Sequence, residues 1–167
     1  NDLGLFVTHD LDSVPRPLDG NGDGVPRFDL GAYEVLLPTA DSNDDGIPDG
    51  WCQRYGFNPI APSLANDDAD DDGMNNSQEY VADTDPTNAL AFFHIETIAA
   101  ESLVAVSFLT SSNRQYTLFG ATDFAPDSIL WTNVPGQSDL PGTGGVMTLS
   151  ETNAAPACFY RVGVRIP

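Results

Sequence analysis

Three short stretches of this chain place oxygen-bearing side chains at alternate positions ahead of a glycine, an arrangement suited to holding a hard cation. They are DGNGDGVPRFDL from Asp19, DSNDDGIPDGWC from Asp41 and DADDDGMNNSQE from Asp68. Each follows D-x-[DN]-x-D-G. Alternate residues on a tightly curled loop turn their oxygens inward, and glycine at the sixth position accepts the sharp bend. Position seven contributes only its backbone carbonyl, which frees the side chains of Val25, Ile47 and Met74 to plug their loops into a core. A shell of hard oxygens in irregular geometry suits Ca²⁺ better than Mg²⁺ or Zn²⁺.

The three copies differ in completeness. The third carries the full set: Asp68, Asp70 and Asp72, the Met74 carbonyl, Asn76 at position nine and Glu79 at position twelve. Position twelve is where a carboxylate grips calcium with both oxygens. A helix from about residue 75 to 82 would carry Glu79 back toward the ion. The second copy offers Asp41, Asn43, Asp45, the Ile47 carbonyl and Asp49, but Cys52 stands at position twelve. A thiol is a poor calcium ligand, so Asp83 or Asp85 is expected to fold back and complete the shell, with Asp44 pointing outward. The first copy offers Asp19, Asn21, Asp23 and the Val25 carbonyl; Leu30 holds position twelve, and Asp29 sits one residue early as its substitute. That first stretch also suits a Gly/Asp-rich turn that needs no ion. Two or three Ca²⁺ ions are expected.

Composition sets the elements that must position these loops. The 167 residues carry a formal charge of −19, and 41% of them are hydrophobic, enough for a real core. Acidity is concentrated in the first half: residues 1–85 hold seventeen Asp and two Glu against three Arg, whereas residues 86–167 hold three Asp, three Glu and three Arg. A solvated helical surface would favour Glu, the better helix former, so Asp interleaved with Gly and Asn points to ligation in loops. The chain has no lysine, and the positive footprint of a nucleic-acid binder is missing. No apolar run approaches the ~20 residues of a membrane span. No signal peptide opens the sequence, so in a secreted protein it would have been removed or would lie upstream.

Catalytic signatures are absent from the sequence. His9 and His94 are its two histidines, and His94 alternates within a β-prone run as a sheet side chain would. There is no G-x-S-x-G elbow, H-E-x-x-H motif or Gly-rich phosphate loop. Glycosidases use paired carboxylates, but here the pairs sit in ion loops, where a coordinating Asp cannot donate a proton. No enzyme is expected. Trp51, Tyr55 and Phe57, or Trp131 with Phe124, could stack on a sugar ring or pack loops against the core. Cys52 and Cys158 are too far apart in sequence for a zinc knuckle or a CxxC pair. They leave two readings, a disulfide tying the acidic half to the C-terminal half or two buried thiols.

After Asn88 the pattern becomes that of a β domain. The runs AFFHIETI, LVAVSFLT, QYTLFGAT, ILWTNV, VMTLS and CFYRVGVRI are divided by Gly, Pro, Asn and Ser turns. The expected fold is mainly β: a calcium-loop region with one or two short helices, followed by an antiparallel β-sandwich. Its segments are an N-terminal strand and Asp/Gly-rich stretch at 1–35, tandem loops at 36–88 and the sandwich at 89–167. Six strands are one fewer than the ~7 of an immunoglobulin-like sandwich.

The stretch DSNDDGIPDGW…YGFNP…DDADDDGMNNSQEYVADTDPTN, about residues 41–88, resembles the thrombospondin type 3-like calcium repeats of secreted and surface proteins of bacteria. In that family an acidic residue usually follows the Trp, where this chain has Cys52. Upstream, DLDSVPRPLDGNGDGVPRFDLGAYE resembles the closing segment of bacterial parallel β-helix surface proteins, although only nine residues precede Asp10. The C-terminal ILWTNVPG…GGVMTLSETNAAPACFYRVGVRIP resembles the small β-domain that closes such proteins.

Together these readings imply an extracellular or cell-surface, calcium-rigidified structural protein of a bacterial surface or filament. The apolar run LGLFVTH, Leu3 to His9, has no hairpin partner beside it, and a sandwich one strand short offers an open edge. One chain's N-terminal strand could complete the next chain's sheet, giving a head-to-tail homo-oligomer or filament. The alternative is a carbohydrate-binding accessory or adhesin module of a larger secreted protein, with glycans as partners.

Overall fold

The computed structural model describes residues 9–10, 16–17, 25, 27–28, 39–100, 103–122, 129–151 and 159–167. Asp19, Asn21, Asp23 and Asp29 of the first loop, Leu3 to Thr8, Phe124 and Cys158 lie outside the described residues. The chain divides into two compact units, Asn1–Tyr80 with Pro86–Ala89, and Val81–Asp85 with Leu90–Pro167.

The first unit holds α1 (Asp49–Arg54), a single 3₁₀ turn (Leu64–Asn66) and most of α2 (Asn76–Ala82). Pro48, extended at ψ 140°, starts α1, and Asp49 and Arg54 lie in its first and last turns, matching the helix dipole. Gly56, at φ 75°, ends it in a Schellman motif: its N–H donates to the Gln53 carbonyl at 3.2 Å and the Phe57 N–H to the Cys52 carbonyl at 2.8 Å. A reciprocal capping box opens α2. The Asn75 N–H donates to Gln78 Oε1 and the Gln78 N–H to Asn75 Oδ1, each at 2.9 Å. Ile47, Cys52, Leu64 and Ala65 form the small core, with Trp51, Phe57, Ala61 and Tyr80 packed on it. Ile47 thus anchors its loop as expected. Met74 is half-buried, and Val25 does not plug a core, being 50% exposed.

The second unit is built of antiparallel strands β1 (Ile95–Ala100), β2 (Val104–Leu109), β3 (Gln115–Ala121), β4 (Thr132–Asn133), β5 (Leu140–Pro141), β6 (Val146–Glu151) and β7 (Phe159–Arg165). One sheet has the order β1-β2-β6; in the other, β3 pairs with β4, β5 and β7. Alternation along β2 turns Val104, Val106 and Phe108 inward, where they meet Leu149 of β6 and Tyr116 and Leu118 of β3 in one core with Val134. Among the described residues the fold is mainly β, with two antiparallel sheets in a sandwich-like C-terminal region and two short helices, as expected. Six strands fall in the six sequence runs; the two-residue β5 adds a seventh.

Residues Val81–Asp85 belong to the β unit, although the sequence pattern puts the division after residue 88. The cause is Arg114, which is buried and donates from Nε to the Val81 carbonyl at 2.7 Å and from Nη1 to the Asn113 carbonyl at 3.0 Å. Its Nη2 lies 3.6 Å from Asp83, and the Ser111 hydroxyl also donates to Asp83. Among the described residues no helix is long and apolar enough to cross a membrane.

Candidate metal centre

The loop from Asp68 begins with carboxylates that organise their own backbone. The Gly73 N–H donates to Asp68 Oδ2 at 2.9 Å, the Asp72 N–H to Asp70 Oδ1 at 3.3 Å and the Met74 N–H to Asp72 Oδ1 at 2.7 Å. Asp71 and Gly73 adopt left-handed φ of 63° and 97°, which reverses the chain and points residues 68, 70 and 72 to one side. Carboxylate oxygens of Asp68, Asp70 and Asp72 thereby lie within 4.8 Å of one another, and among the described residues this is the acidic group close enough to hold a metal ion. Asp71 stays exposed between them.

Helix α2 supplies the remaining residues. Its capping box fixes the first turn, where Asn76 and Glu79 are fully buried at 0% exposure. Asn76 donates its amide nitrogen to the Leu64 carbonyl at 2.8 Å and its N–H to the Asp67 carbonyl at 2.9 Å. That leaves Asn76 Oδ1 buried without a hydrogen-bond partner. Asp70 Oδ2 and Asp72 Oδ2 are in the same condition. Buried acceptors are almost always satisfied, and an unsatisfied one costs about 1–3 kcal/mol, more when charged. Three such oxygens at positions three, five and nine of one loop, two of them from carboxyl groups, fit a hard divalent cation and would be costly without one.

The Asp41 loop is a second copy of the same backbone, twenty-seven positions earlier in the chain. Asp44 and Gly46 repeat the left-handed φ, at 57° and 87°. The Gly46 N–H reaches Asp41 Oδ2 and the Ile47 N–H reaches Asp45 Oδ1, both at 2.9 Å. Helix α1 starts at Asp49 as α2 starts at Asn76. The side chains differ. Asp49 is fully buried, and Ser42 donates to it twice, from N–H to Oδ1 at 2.9 Å and from Oγ to Oδ2 at 2.6 Å. Burial pushes the Asp49 carboxyl above the usual range, Ser42 offsets part of that, and the charges of Asp41 and Asp45 add to the rise. Asn43 donates to Asp45 Oδ2 at 2.8 Å and to the Ala61 carbonyl at 3.0 Å, and its Oδ1 is buried without a partner.

Cys52 occupies the place in this loop that Glu79 occupies in the next. It is a free thiol at 1% exposure, turned into the Ile47–Leu64–Ala65 core. Burial pushes its pKa up to about 12, helped by the charges of Asp45 and Asp49. Cys158, its partner in the disulfide reading, lies outside the described residues. Asp83, offered with Asp85 as a residue to complete the Asp41 shell, is engaged by Arg114 and Ser111, and Asp44 is exposed as expected.

The aromatic groups proposed for sugar stacking are mostly spoken for. Trp51 packs against the rings of Tyr55, Phe57 and Tyr80 at centroid distances of 4.9, 5.8 and 5.9 Å. The Arg161 guanidinium lies 4.7 Å from the Trp131 ring and 4.8 Å from the Phe119 ring. His94 points its Nδ1 at the Phe92 carbonyl, 3.0 Å away, and stacks on the Phe92 ring. Two features escaped sequence reasoning. Asn75-x-x-Gln78 is a legible capping box, whereas nothing local announces that Ser42 will clamp a residue seven positions on. Comparison with protein-family models, curated proteins and solved structures found no match.

Proposed function

We propose that the protein is a calcium-stabilised structural module of a bacterial surface or filament, acting outside the cell. The observation that carries this reading is the set of buried, partnerless oxygens of Asp70, Asp72 and Asn76 beside the converging carboxylates of residues 68–72. Asp68, Asp70, Asp72, Asn76 and Glu79 would hold the ion, with the Met74 carbonyl as the backbone ligand. Calcium supplies positive charge where the folded loop concentrates negative charge, so binding becomes folding energy. The residues' own work is to fix that geometry in advance: Asx turns curl the loop, and the Asn75–Gln78 box seats the helix.

Assembly belongs to the same proposal. Strand β1 lies at the edge of its three-stranded sheet with all six residues exposed, which favours pairing with a strand from a second copy. The donor would be the run from Leu3 to His9. Repeated head-to-tail pairing would build a stiff fibre unless its rotation closed a ring.

Two measurements test the two halves. Chelation should lower the melting temperature strongly, and Asp70→Ala with Glu79→Ala should reproduce most of the loss; a melting curve indifferent to chelator refutes the calcium reading. The 1–167 chain and a form lacking residues 1–9 should differ in light scattering and electron microscopy with calcium present. A monomeric 1–167 chain, or equal polymerisation of both forms, refutes strand donation.

A further inference from the structure

The two described loops share a backbone but treat their carboxylates oppositely. In the Asp41 loop all six oxygens of Asp41, Asp45 and Asp49 accept a hydrogen bond from the protein itself, and it is the neutral amide oxygen of Asn43 that is buried without one. Asp41 takes the Asp45 and Gly46 N–H groups at 3.1 and 2.9 Å. Asp45 takes the Ile47 N–H at 2.9 Å and the Asn43 amide at 2.8 Å. Asp49 takes both donors of Ser42, at 2.9 and 2.6 Å. In the Asp68 loop the inward oxygens of Asp70 and Asp72 have no such donor. Alanine stands at position two there, where the earlier loop has Ser42. No hydroxyl is available to repeat the clamp.

Resting on the calcium reading above, we propose that the Asp41 loop is locked by its own donors instead of by an ion, with Ser42 as the positioning residue and Cys52 as a disabled twelfth ligand. A donor hydrogen aimed at a carboxylate oxygen competes for the place a cation would take. Bonded to Ser42 through both oxygens, Asp49 is held away from ligation at position nine. At position twelve the buried thiol, packed among Ile47, Leu64 and Ala65, offers no hard oxygen. The consequence is a division of labour: one loop keeps its shape when calcium is scarce, and its twin is the calcium-responsive one.

The substitutions Cys52→Glu and Ser42→Ala test this. Calcium bound to chelator-stripped protein is counted by native mass spectrometry and titration calorimetry, and the forms are compared by difference, so an ion at the Asp19 loop cancels. Asp41→Ala should leave the ion count of the wild type unchanged, and Asp68→Ala should lower it by one. Cys52→Glu with Ser42→Ala should raise it by one and make the fold more calcium-dependent. Loss of an ion in Asp41→Ala overturns the proposal while leaving the calcium reading intact. No calcium bound by the wild type overturns the calcium reading itself. Should the double variant fail to fold, the Asp41→Ala and Asp68→Ala comparison decides alone. If the double variant folds and gains no ion, the roles given to Ser42 and Cys52 are wrong.

Discussion

Asp70→Asn should change the sign of its effect with calcium. Asp70 shares a space within 4.8 Å with two other carboxylates. At that separation each like-charge pair repels by about 0.9 kcal/mol in the dielectric of water and about 3.5 kcal/mol at an effective constant of 20. Asp68 is exposed and Asp70 and Asp72 are half-buried, so the watery end applies and the two pairs sum to about 2 kcal/mol. A Debye length of about 8 Å at physiological salt roughly halves that. Asparagine keeps Oδ1 as acceptor for the Asp72 N–H, so the loop's own hydrogen bond survives. In chelator at low salt the variant should therefore be more stable than wild type by ~2 kcal/mol, or about 4–8 °C in melting temperature per kcal/mol. At physiological salt, where the apo gain falls to about 1 kcal/mol, the order reverses in saturating calcium, because a tenfold weaker site costs about 1.4 kcal/mol of linked stability. Calorimetric or circular-dichroism melts of both proteins, with calcium and with chelator, at two salt concentrations, read this directly. Equal destabilisation in all four conditions would refute the reasoning, since it would mean that Asp70 serves only as a hydrogen-bonding residue of the apo loop.

Cys52 should resist alkylation in the native protein and react fully after denaturation without reductant, as mass spectrometry would show; a Cys52–Cys158 bridge would block the second step. Burial holds its thiol proton to about pH 12 when folded, so from pH 9, where an exposed thiol titrates, upward the unfolded chain loses that proton first and stability falls as pH rises. Cys52→Ala should flatten that slope. Arg114→Ala strips the Val81 carbonyl and Asp83 of a buried partner and should cost roughly 2–4 kcal/mol in urea melts, with Arg114→Lys rescuing little because it cannot reproduce the fork. At Gly142 an added Cβ would lie 2.0 Å from the Ser111 carbonyl oxygen and 2.7 Å from the Tyr116 ring, so Gly142→Ala should lower the melting temperature by several degrees.

How much of this was legible in the sequence depends on the range of the interactions involved. Local rules gave the Asp/Gly loops, the helix that carries Glu79 and the β-runs, because each depends on residues a few positions apart. Strand β5 was missed since two residues between Pro and Gly turns, Leu140 and Pro141, carry no period; β3 recruits them through Gln115 and Tyr116. The Asp41 loop shows a different limit. Its motif satisfies the spacing rule, but spacing counts oxygens and cannot say which are already occupied. Ser42 occupies two of them by a contact across seven positions. The grouping of Val81–Asp85 with the β unit is of the same kind, since Arg114 reaches thirty-three positions back to Val81.

Helix α2 is seven residues long, about two turns. Helices that short do not nucleate by themselves in water, because the first turn fixes several dihedrals for one hydrogen bond. A cation gripping Asp68, Asp70 and Asp72 from one side and Asn76 and Glu79 from the other would form that nucleus before any distant part of the chain has arrived. Closing a loop of this length takes on the order of 10–100 ns, far faster than pairing the remote strands of a sheet. Refolding of this stretch should then be timed by the arrival of calcium. A chain emerging from a calcium-poor compartment would stay pliable there and stiffen upon reaching calcium outside.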